Sequence, residues 1–400
     1  MVETTRLDNA RVLIYSHDTF GLGHLRRCRA IAHELVGRYK GISVLILSGS
    51  PVIGSFEFRA RVDFVRIPGV IKLKDGRYTS LGLHINLDQT MAIREAIILK
   101  TAEVFDPDLF IVDKEPLGLK GEVRETLRML RGKGIKTVLG ERDIIDESRS
   151  LQREWGMKAA LPALKDLYDE IWVYGLESFY APFKGLGLEP DIYSKTFFTG
   201  YLKRSSIDDV VKLDIEEPYI LVTPGGGKDG EEMVELVFEA YQNSRELTTA
   251  VVFILGPFMS EDKRDYFKSL SESLELFTVL DYHNRMELLI ENAQGLVTMG
   301  GYNTFCEILS FNKPTIIIPR YEPRTEQLIR ARRAAELSLV TMLEPENFNY
   351  QSLIPLIRNL CSQPNPHDNL LPGMLDGMNQ VCDRVVALLT SNAGDSHDDQ

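Results

Sequence analysis

Short apolar runs alternate along this chain with longer stretches whose apolar positions recur every three to four residues. The runs in the first half are Arg11–Ser16, Ser43–Leu47, Val62–Ile67, Leu109–Val112, Lys136–Leu139 and Glu170–Tyr174. Runs apolar throughout read as strands buried on both faces. Helical periodicity between them predicts helices at Leu25–Gly37, Leu87–Val104, Leu119–Arg131 and Ser148–Tyr168. The second half repeats the scheme with strands at Tyr219–Thr223, Ala250–Leu255, Phe277–Leu280, Gly295–Thr298, Thr315–Ile318 and Leu339–Leu343. Such alternation predicts an α/β protein with a parallel sheet in each half. The polar stretch Gly200–Pro218 reads as a linker, so domains are expected at residues 1–200 and 201–376. A last helical pattern, Met378–Leu389, follows the Pro-rich loop Gln363–Pro372. It predicts a helix over 377–390 that crosses back to the first domain. Residues 391–400 are small and polar and are expected to form a disordered tail.

Composition changes this picture little. The 400 residues are 44% hydrophobic and 26% charged, which suits a globular chain long enough for two domains. A net charge of −12 argues against a nucleic-acid partner. Basic residues still gather at Arg26, Arg27 and Arg29, and again at Arg320, Arg324, Arg330, Arg332 and Arg333. Local positive charge in an acidic chain suits a small anionic ligand. Cys28, Cys306, Cys361 and Cys382 form no CxxC pair, so reduced thiols are expected rather than a zinc motif or disulfide framework. The N-terminus has no apolar secretion-signal core, and no apolar run is long enough to span a bilayer. A cytoplasmic location is therefore expected.

Candidate chemistry lies where the apolar runs end. Gly21-Leu22-Gly23-His24 follows the first run. Glycines there permit a tight turn and close approach to a ligand. A helix opening at this point aims free N–H groups at one spot and disfavours a protonated His24, by roughly 0.3–1 kcal/mol when exposed. A neutral imidazole is a general base; a histidine that only caps or packs fits the spacing equally well. Gly225-Gly226-Gly227 follows the run Tyr219–Thr223 and can present amides to a phosphate, or simply form a mobile turn. It is not a Walker A loop, because no Gly-Lys-Ser/Thr follows.

Gly300-Gly301 precedes Asn303, Thr304 and Glu307, whose i,i+4 and i,i+3 spacings place them on one face near a helix start. The amides can take a phosphate and the carboxylate two ribose hydroxyls. Glu307 can equally be a capping glutamate. Pro319-Arg320 and Glu326-Gln327 end another run; the carboxylate and carboxamide can grip sugar hydroxyls or form a solvated helix start. Asp113, Arg142 and Asp143 follow strands and are candidates for an acceptor pocket. No metal site stands out. Asp106-Pro107-Asp108 precedes a strand and reads as a turn, and His17, His33, His84 and His283 have no ligand spacing.

Taken in this order, the motifs resemble those of GT-B glycosyltransferases over about residues 10–388. They are most similar to the group containing the bacterial transferase that adds N-acetylglucosamine to a lipid-linked cell-wall precursor. Gly21 to His24 resembles that group's N-terminal glycine loop, with Gly21 and Gly23 on the acceptor side. Thr199-Gly200 with Arg204 resembles its junction segment, Gly225–Gly227 its second glycine loop, and Gly300 to Glu307 through Gln327 its donor signature. The resemblance implies two Rossmann-like domains facing across a cleft, with no cofactor and no bound metal. It further implies that Glu307 binds the ribose of a UDP-sugar. Arg204, Gly227, Asn303 and Thr304 would hold the diphosphate, with Gly226 and Gly301 also on the donor side. Glu326 and Gln327 would hold the sugar, and the segment Asp281–Met286, which contains His283, the base, largely through backbone. His24 would deprotonate the acceptor hydroxyl for direct displacement with inversion.

The first loop has fewer glycines before its histidine than the cell-wall enzymes. Its Gly-Leu-Gly-His-x-x-Arg-Cys string is also similar to nucleotide-sugar hydrolases of the pseudaminic-acid route, which use water as acceptor. Three functions follow: an inverting transferase using UDP-N-acetylglucosamine or a near relative, a nucleotide-sugar hydrolase, and a nucleotide-sugar-binding protein without turnover. The acceptor is left open between a lipid-linked compound and a small glycoside. A lipid-linked one implies peripheral contact with the inner membrane face.

Overall fold

The computed structural model describes residues 7, 9–17, 22–73, 77–145, 160–205, 215, 217–227, 229–272, 274–283 and 285–391. The expected tail over 391–400 lies, beyond residue 391, outside the described residues. The chain divides into two units, Met1–Tyr201 with Asp376–Gln400, and Leu202–Leu375.

The first unit contains β1 (Arg11–Ser16), β2 (Ser43–Ser48), β3 (Val62–Arg66), β4 (Val70–Lys72), β5 (Tyr78–Ser80), β6 (Leu109–Asp113), β7 (Lys136–Arg142), β8 (Glu170–Tyr174) and β9 (Thr196–Phe198). Seven of these form one sheet in the order β3-β2-β1-β6-β7-β8-β9, with every neighbouring pair parallel. The strands β4 and β5 pair antiparallel by themselves. The central strands are buried along their length, as their unbroken apolar runs require. Leu13, Phe110, Val112, Leu139, Ile171 and Val173 share one core with Leu127 and Leu130 of the helix Arg124–Gly132.

The helix Gly377–Ser391 belongs to this unit. Arg384 pairs with the carboxylate of Glu170, donating from Nε at 3.0 Å, and lies 3.7 Å from the centroid of the Phe197 ring. Arg38 donates to Asn379. At Gly377 an added Cβ would come within 2.5 Å of the carbonyls of Gly200 and Tyr201, so only glycine lets the chain pass there.

The second unit holds β10 (Tyr219–Thr223), β11 (Ala250–Ile254), β12 (Phe277–Leu280), β13 (Gly295–Thr298), β14 (Thr315–Ile317) and β15 (Thr341–Met342). They form a second parallel sheet, in the order β12-β11-β10-β13-β14-β15. Both units are therefore Rossmann-like α/β layers. In each, chain order reverses beside the first strand: between β1 and β6, and between β10 and β13. Loops leaving two strands at such a point diverge and open a crevice at the C-terminal edge.

Three expectations need correction. The helix expected over Leu119–Arg131 is a 3₁₀ turn, Leu119–Gly121, followed by the helix Arg124–Gly132. Gly118, Lys120 and Gly121 all have positive φ, which breaks α-helical continuity. Of the helix expected over Ser148–Tyr168, residues 148–159 lie outside the described residues and a helix spans Ala160–Asp166. The run Leu339–Leu343 pairs only over Thr341–Met342. Leu339 is still tied to the preceding helix by its N–H to Ala334, after Ser338 at φ 55°. Hydropathy also gave no sign of β4, β5 or β9, each three residues long. Among the described residues no helix is long and apolar enough to cross a membrane.

Candidate functional site

In the first unit, the reversal point between β1 and β6 gathers the loop chemistry. The helix Gly23–Arg38 starts just beyond β1, and Asp113 ends β6. His24 Nδ1 lies 2.5 Å from Asp113 Oδ2. Arg27, one helical turn on, donates to Asp113 Oδ1 from Nε at 2.8 Å and from Nη2 at 2.5 Å. Arg27 is 1% exposed and Asp113 2%, whereas the His24 side chain keeps 16% of its surface open. The carboxylate is thus saturated on one side by a guanidinium and on the other by an imidazole.

These contacts set the protonation states. Burial pushes the Asp113 carboxyl up, but Arg27 and then His24 overcome it and hold it at about 2. Burial pulls His24 down to about 4, although Asp113 works the other way. At neutral pH the pair is therefore a carboxylate and a neutral imidazole. Nδ1–H donates to Asp113, which leaves Nε2 as the acceptor.

A second buried layer supports the first. His17 follows β1, and its ring meets that of His24 edge-on with centroids 5.8 Å apart. Tyr15 Oη lies 3.4 Å from His17 Nδ1 and donates to Glu122 Oε1 at 2.5 Å. Arg94 donates twice to the Glu122 carboxylate, each time at 2.6 Å, and once to the Pro68 carbonyl. Burial, with Lys114 nearby, holds His17 well below the usual imidazole range.

Arg142 ends β7. It lies on the face that carries Gly140, whose register partner is Asp113. Gly23 opens the helix; Gly21 lies outside the described residues.

In the second unit the donor candidates line the same edge of one sheet. Gly301 is the N-cap of the helix Tyr302–Phe311, and no side chain closes that helix start. Gly301 has no side chain to cap the helix, and a helix start of this kind suits an anion. Arg204, 8% exposed, donates from Nη2 to Asn303 Oδ1 at 2.9 Å. Its own N–H donates to Ser310 Oγ on the same helix. Asn303, Thr304 and Glu307 are all buried, Glu307 almost completely. Glu326 accepts from Arg320 Nη2 at 2.7 Å, and Gln327 Oε1 accepts from the Arg320 N–H at 3.1 Å. Arg320 Nη1 also donates to Asp229, at 2.6 Å. A cavity of about 400 Å³ borders this arginine, with Met233, Met299, Ile318 and Leu343 in its walls. His283 follows β12 and accepts the Arg285 N–H at 3.1 Å. Among the described residues no three His, Cys, Asp or Glu side chains are grouped to hold a metal ion.

The structure thus joins His24 to Asp113 and Arg204 to Asn303, and ties both Glu326 and Gln327 to Arg320. Sequence reasoning missed Arg27 and Asp229 as parts of these constellations. Arg27 lies i+3 from His24, a spacing that signals a shared helix face. Nothing local marks Asp229 as the partner of an arginine 91 residues away.

The glycines separate by cause. Gly227 has φ 92°, and a Cβ there would strike the Leu255 carbonyl at 2.3 Å. Gly300 has φ 72°, with Ile317 in the way at 2.8 Å. Folding alone demands both. Gly301 has φ −59°, and an added Cβ would meet nothing within 4 Å. No steric limit of the fold requires glycine there; glycine suits an N-cap and also leaves room for a ligand. Gly301→Ala is expected to leave the melting temperature nearly unchanged while weakening UDP binding. Gly300→Ala is expected to destabilise the unit by about 1–3 kcal/mol, through overpacking and strain. Calorimetry and thermal melting check the pair, and unchanged UDP affinity in Gly301→Ala would count against a ligand at this turn.

Comparison with known proteins fits this geometry. Residues 219–369 match the glycosyltransferase family 28 C-terminal domain. An uncharacterized glycosyltransferase of Methanosarcina acetivorans is 22% identical over 317 residues, covering 75% of this chain and 77% of the relative. A relative from Leuconostoc citreum is named UDP-N-acetylglucosamine–N-acetylmuramyl-(pentapeptide) pyrophosphoryl-undecaprenol N-acetylglucosamine transferase. It is 23% identical over 148 residues, covering 36% of this chain and 40% of its own length. Among solved structures, the glycosyltransferase of kitacinnamycin superposes with a TM-score of 0.62 at 14% identity, over 96% of this chain and 99% of that one. At that identity the likeness establishes the fold alone. Residues 219–369 are a glycosyltransferase family 28 C-terminal domain, and the chain is a glycosyltransferase of the GT-B fold.

Proposed function

We propose that the chain moves a sugar, N-acetylglucosamine or a near relative, from UDP to an acceptor hydroxyl with inversion and with His24 as base. The observation that carries this reading is the His24–Asp113–Arg27 arrangement. An imidazole held neutral by burial, with Nδ1–H fixed on a carboxylate, offers Nε2 to a hydroxyl proton. As that proton leaves, the acceptor oxygen bonds to the anomeric carbon and the bond from that carbon to the diphosphate oxygen breaks. The electron pair departs on UDP. The helix start at Gly301 and the cation of Arg204 suit that developing charge. The family 28 match and the donor printed in the Leuconostoc citreum protein's name support UDP-N-acetylglucosamine.

A lipid-linked acceptor is favoured over a small glycoside by one surface feature. Leu73, Leu81 and Leu83 are each exposed by 39% or more and lie between or just after β4 and β5 of the first unit; Ile93, exposed by 39%, lies in the helix Leu87–Phe105 that follows. Exposed apolar groups concentrated in one segment suit a lipid or membrane surface.

The acceptor decides between transfer and hydrolysis. UDP release is expected to require an added acceptor; release of UDP and free sugar in water alone would establish the hydrolase instead. His24→Ala and Asp113→Asn are each expected to lower turnover roughly 10²–10⁴-fold with donor affinity unchanged. Wild-type turnover in His24→Ala would remove it as base. A base with its pKa lowered to about 4 stays neutral from pH 7 down to that value. The kcat/KM profile is therefore expected to lose activity only near and below pH 4. An acid limb at the ordinary histidine value, about 6.5, would contradict the burial argument. Flotation with anionic lipid vesicles tests the acceptor class. Leu81→Glu with Leu83→Glu is expected to abolish vesicle binding, and a wild-type chain that ignores vesicles would argue for a soluble acceptor.

A further inference from the structure

Arg330 lies in the helix Glu326–Glu336 and is wholly buried. Its Nη1 donates to the carbonyl oxygen of Gly300 at 3.1 Å, and its guanidinium stands 5.9 Å from the centroid of the Tyr302 ring. A buried guanidinium is unfavourable unless its donors are matched, so such a group is rarely neutral filling. The planar peptide explains what this contact does. In a trans peptide the C=O and N–H point in opposite directions. The Gly300 carbonyl is drawn inward onto Arg330. The N–H of Gly301, in the same peptide unit, is thereby turned outward. Gly301 has no side chain to close that donor, and the space where a Cβ would stand is open.

We propose that Arg330 is a positioning residue for the donor diphosphate, holding the Gly300–Gly301 peptide so that the Gly301 N–H faces a phosphate oxygen. The proposal rests on the donor reading given above. Arg330 touches no substrate. It acts through one peptide plane and adds a fixed positive charge beneath the turn, where the helix dipole already favours an anion. Its spacing of i+4 from Glu326 places it one helical turn behind the residue that pairs with Arg320. One helix thus sets both the sugar-side carboxylate and the aim of the phosphate amide.

Affinity for UDP and for uridine, measured on the full chain of wild type, Arg330→Lys and Arg330→Gln, tests this. Uridine shares the base and ribose but has no phosphate. UDP binding is expected to weaken roughly tenfold or more in both variants, with uridine binding changed by less than about twofold. Lysine is not expected to rescue, because a point charge lacks the planar fork that meets a fixed carbonyl. Unchanged UDP affinity in both variants, or parallel loss of UDP and uridine, overturns the proposal. A wild-type chain that fails to bind UDP overturns the donor reading and the proposal with it. Should a variant fail to fold, hydrogen exchange of the wild type carries the test. The Gly301 amide is expected to be protected by UDP but not by uridine, and an amide unprotected by UDP overturns the assignment.

Discussion

The chemistry of the first unit depends on one buried negative charge. Asp113 ends a strand inside a fully covered parallel sheet, where an unpaired carboxylate is unfavourable by several kcal/mol. Arg27 matches that charge with two hydrogen bonds, and the same carboxylate then orients His24. The three groups define one another. Arg27 keeps Asp113 ionised, Asp113 fixes the His24 tautomer, and burial keeps the imidazole neutral. The Arg94–Glu122 pair beneath Tyr15 repeats the device one layer down.

Topology explains why these groups sit where they do. In each sheet the chain returns to the first strand from its other side, and the two loops leaving that point diverge. The first unit puts His17 and Asp113 at this point; the second puts the Gly225–Gly227 and Gly300–Gly301 turns there. Parallel strands bring all the following loops to one edge. Within one unit, residues such as His24 and Asp113 or Asp229 and Arg320, far apart in sequence, can therefore share a surface without leaving the local pattern of strand, turn and helix.

Arginines do in the second unit what Arg27 does in the first: Arg204 and Arg330 are buried, and Arg320 is half-buried. Arg204 grips Asn303, Arg330 holds the carbonyl of Gly300, and Arg320 gathers Asp229, Glu326 and Gln327. Guanidinium suits this work because its fixed fork meets several oxygens at once. The glycines complement it. Gly227 and Gly300 are glycine because the backbone has no room or has positive φ, whereas Gly301 is glycine where neither limit applies.

The central strands, such as Leu109–Asp113 and Tyr219–Thr223, were legible because a strand covered on both faces must be apolar along its length, whatever its neighbours. The glycine turns were legible for a similar local reason, and with them the α/β class and the GT-B likeness. The pairing of His24 with Asp113, the clamp of Arg320 on Asp229 and the hold of Arg330 on Gly300 were not. Each joins groups far apart in sequence, and an ion pair or a hydrogen bond to a carbonyl leaves no periodic trace. The breaks at Lys120 and Ser338 escaped for another reason: non-glycine residues took positive φ. Local hydrophobic order thus determined the elements and the edge at which chemistry collects. Only the folded chain decided which charges meet there, because electrostatic partners are selected by distance in space and by burial.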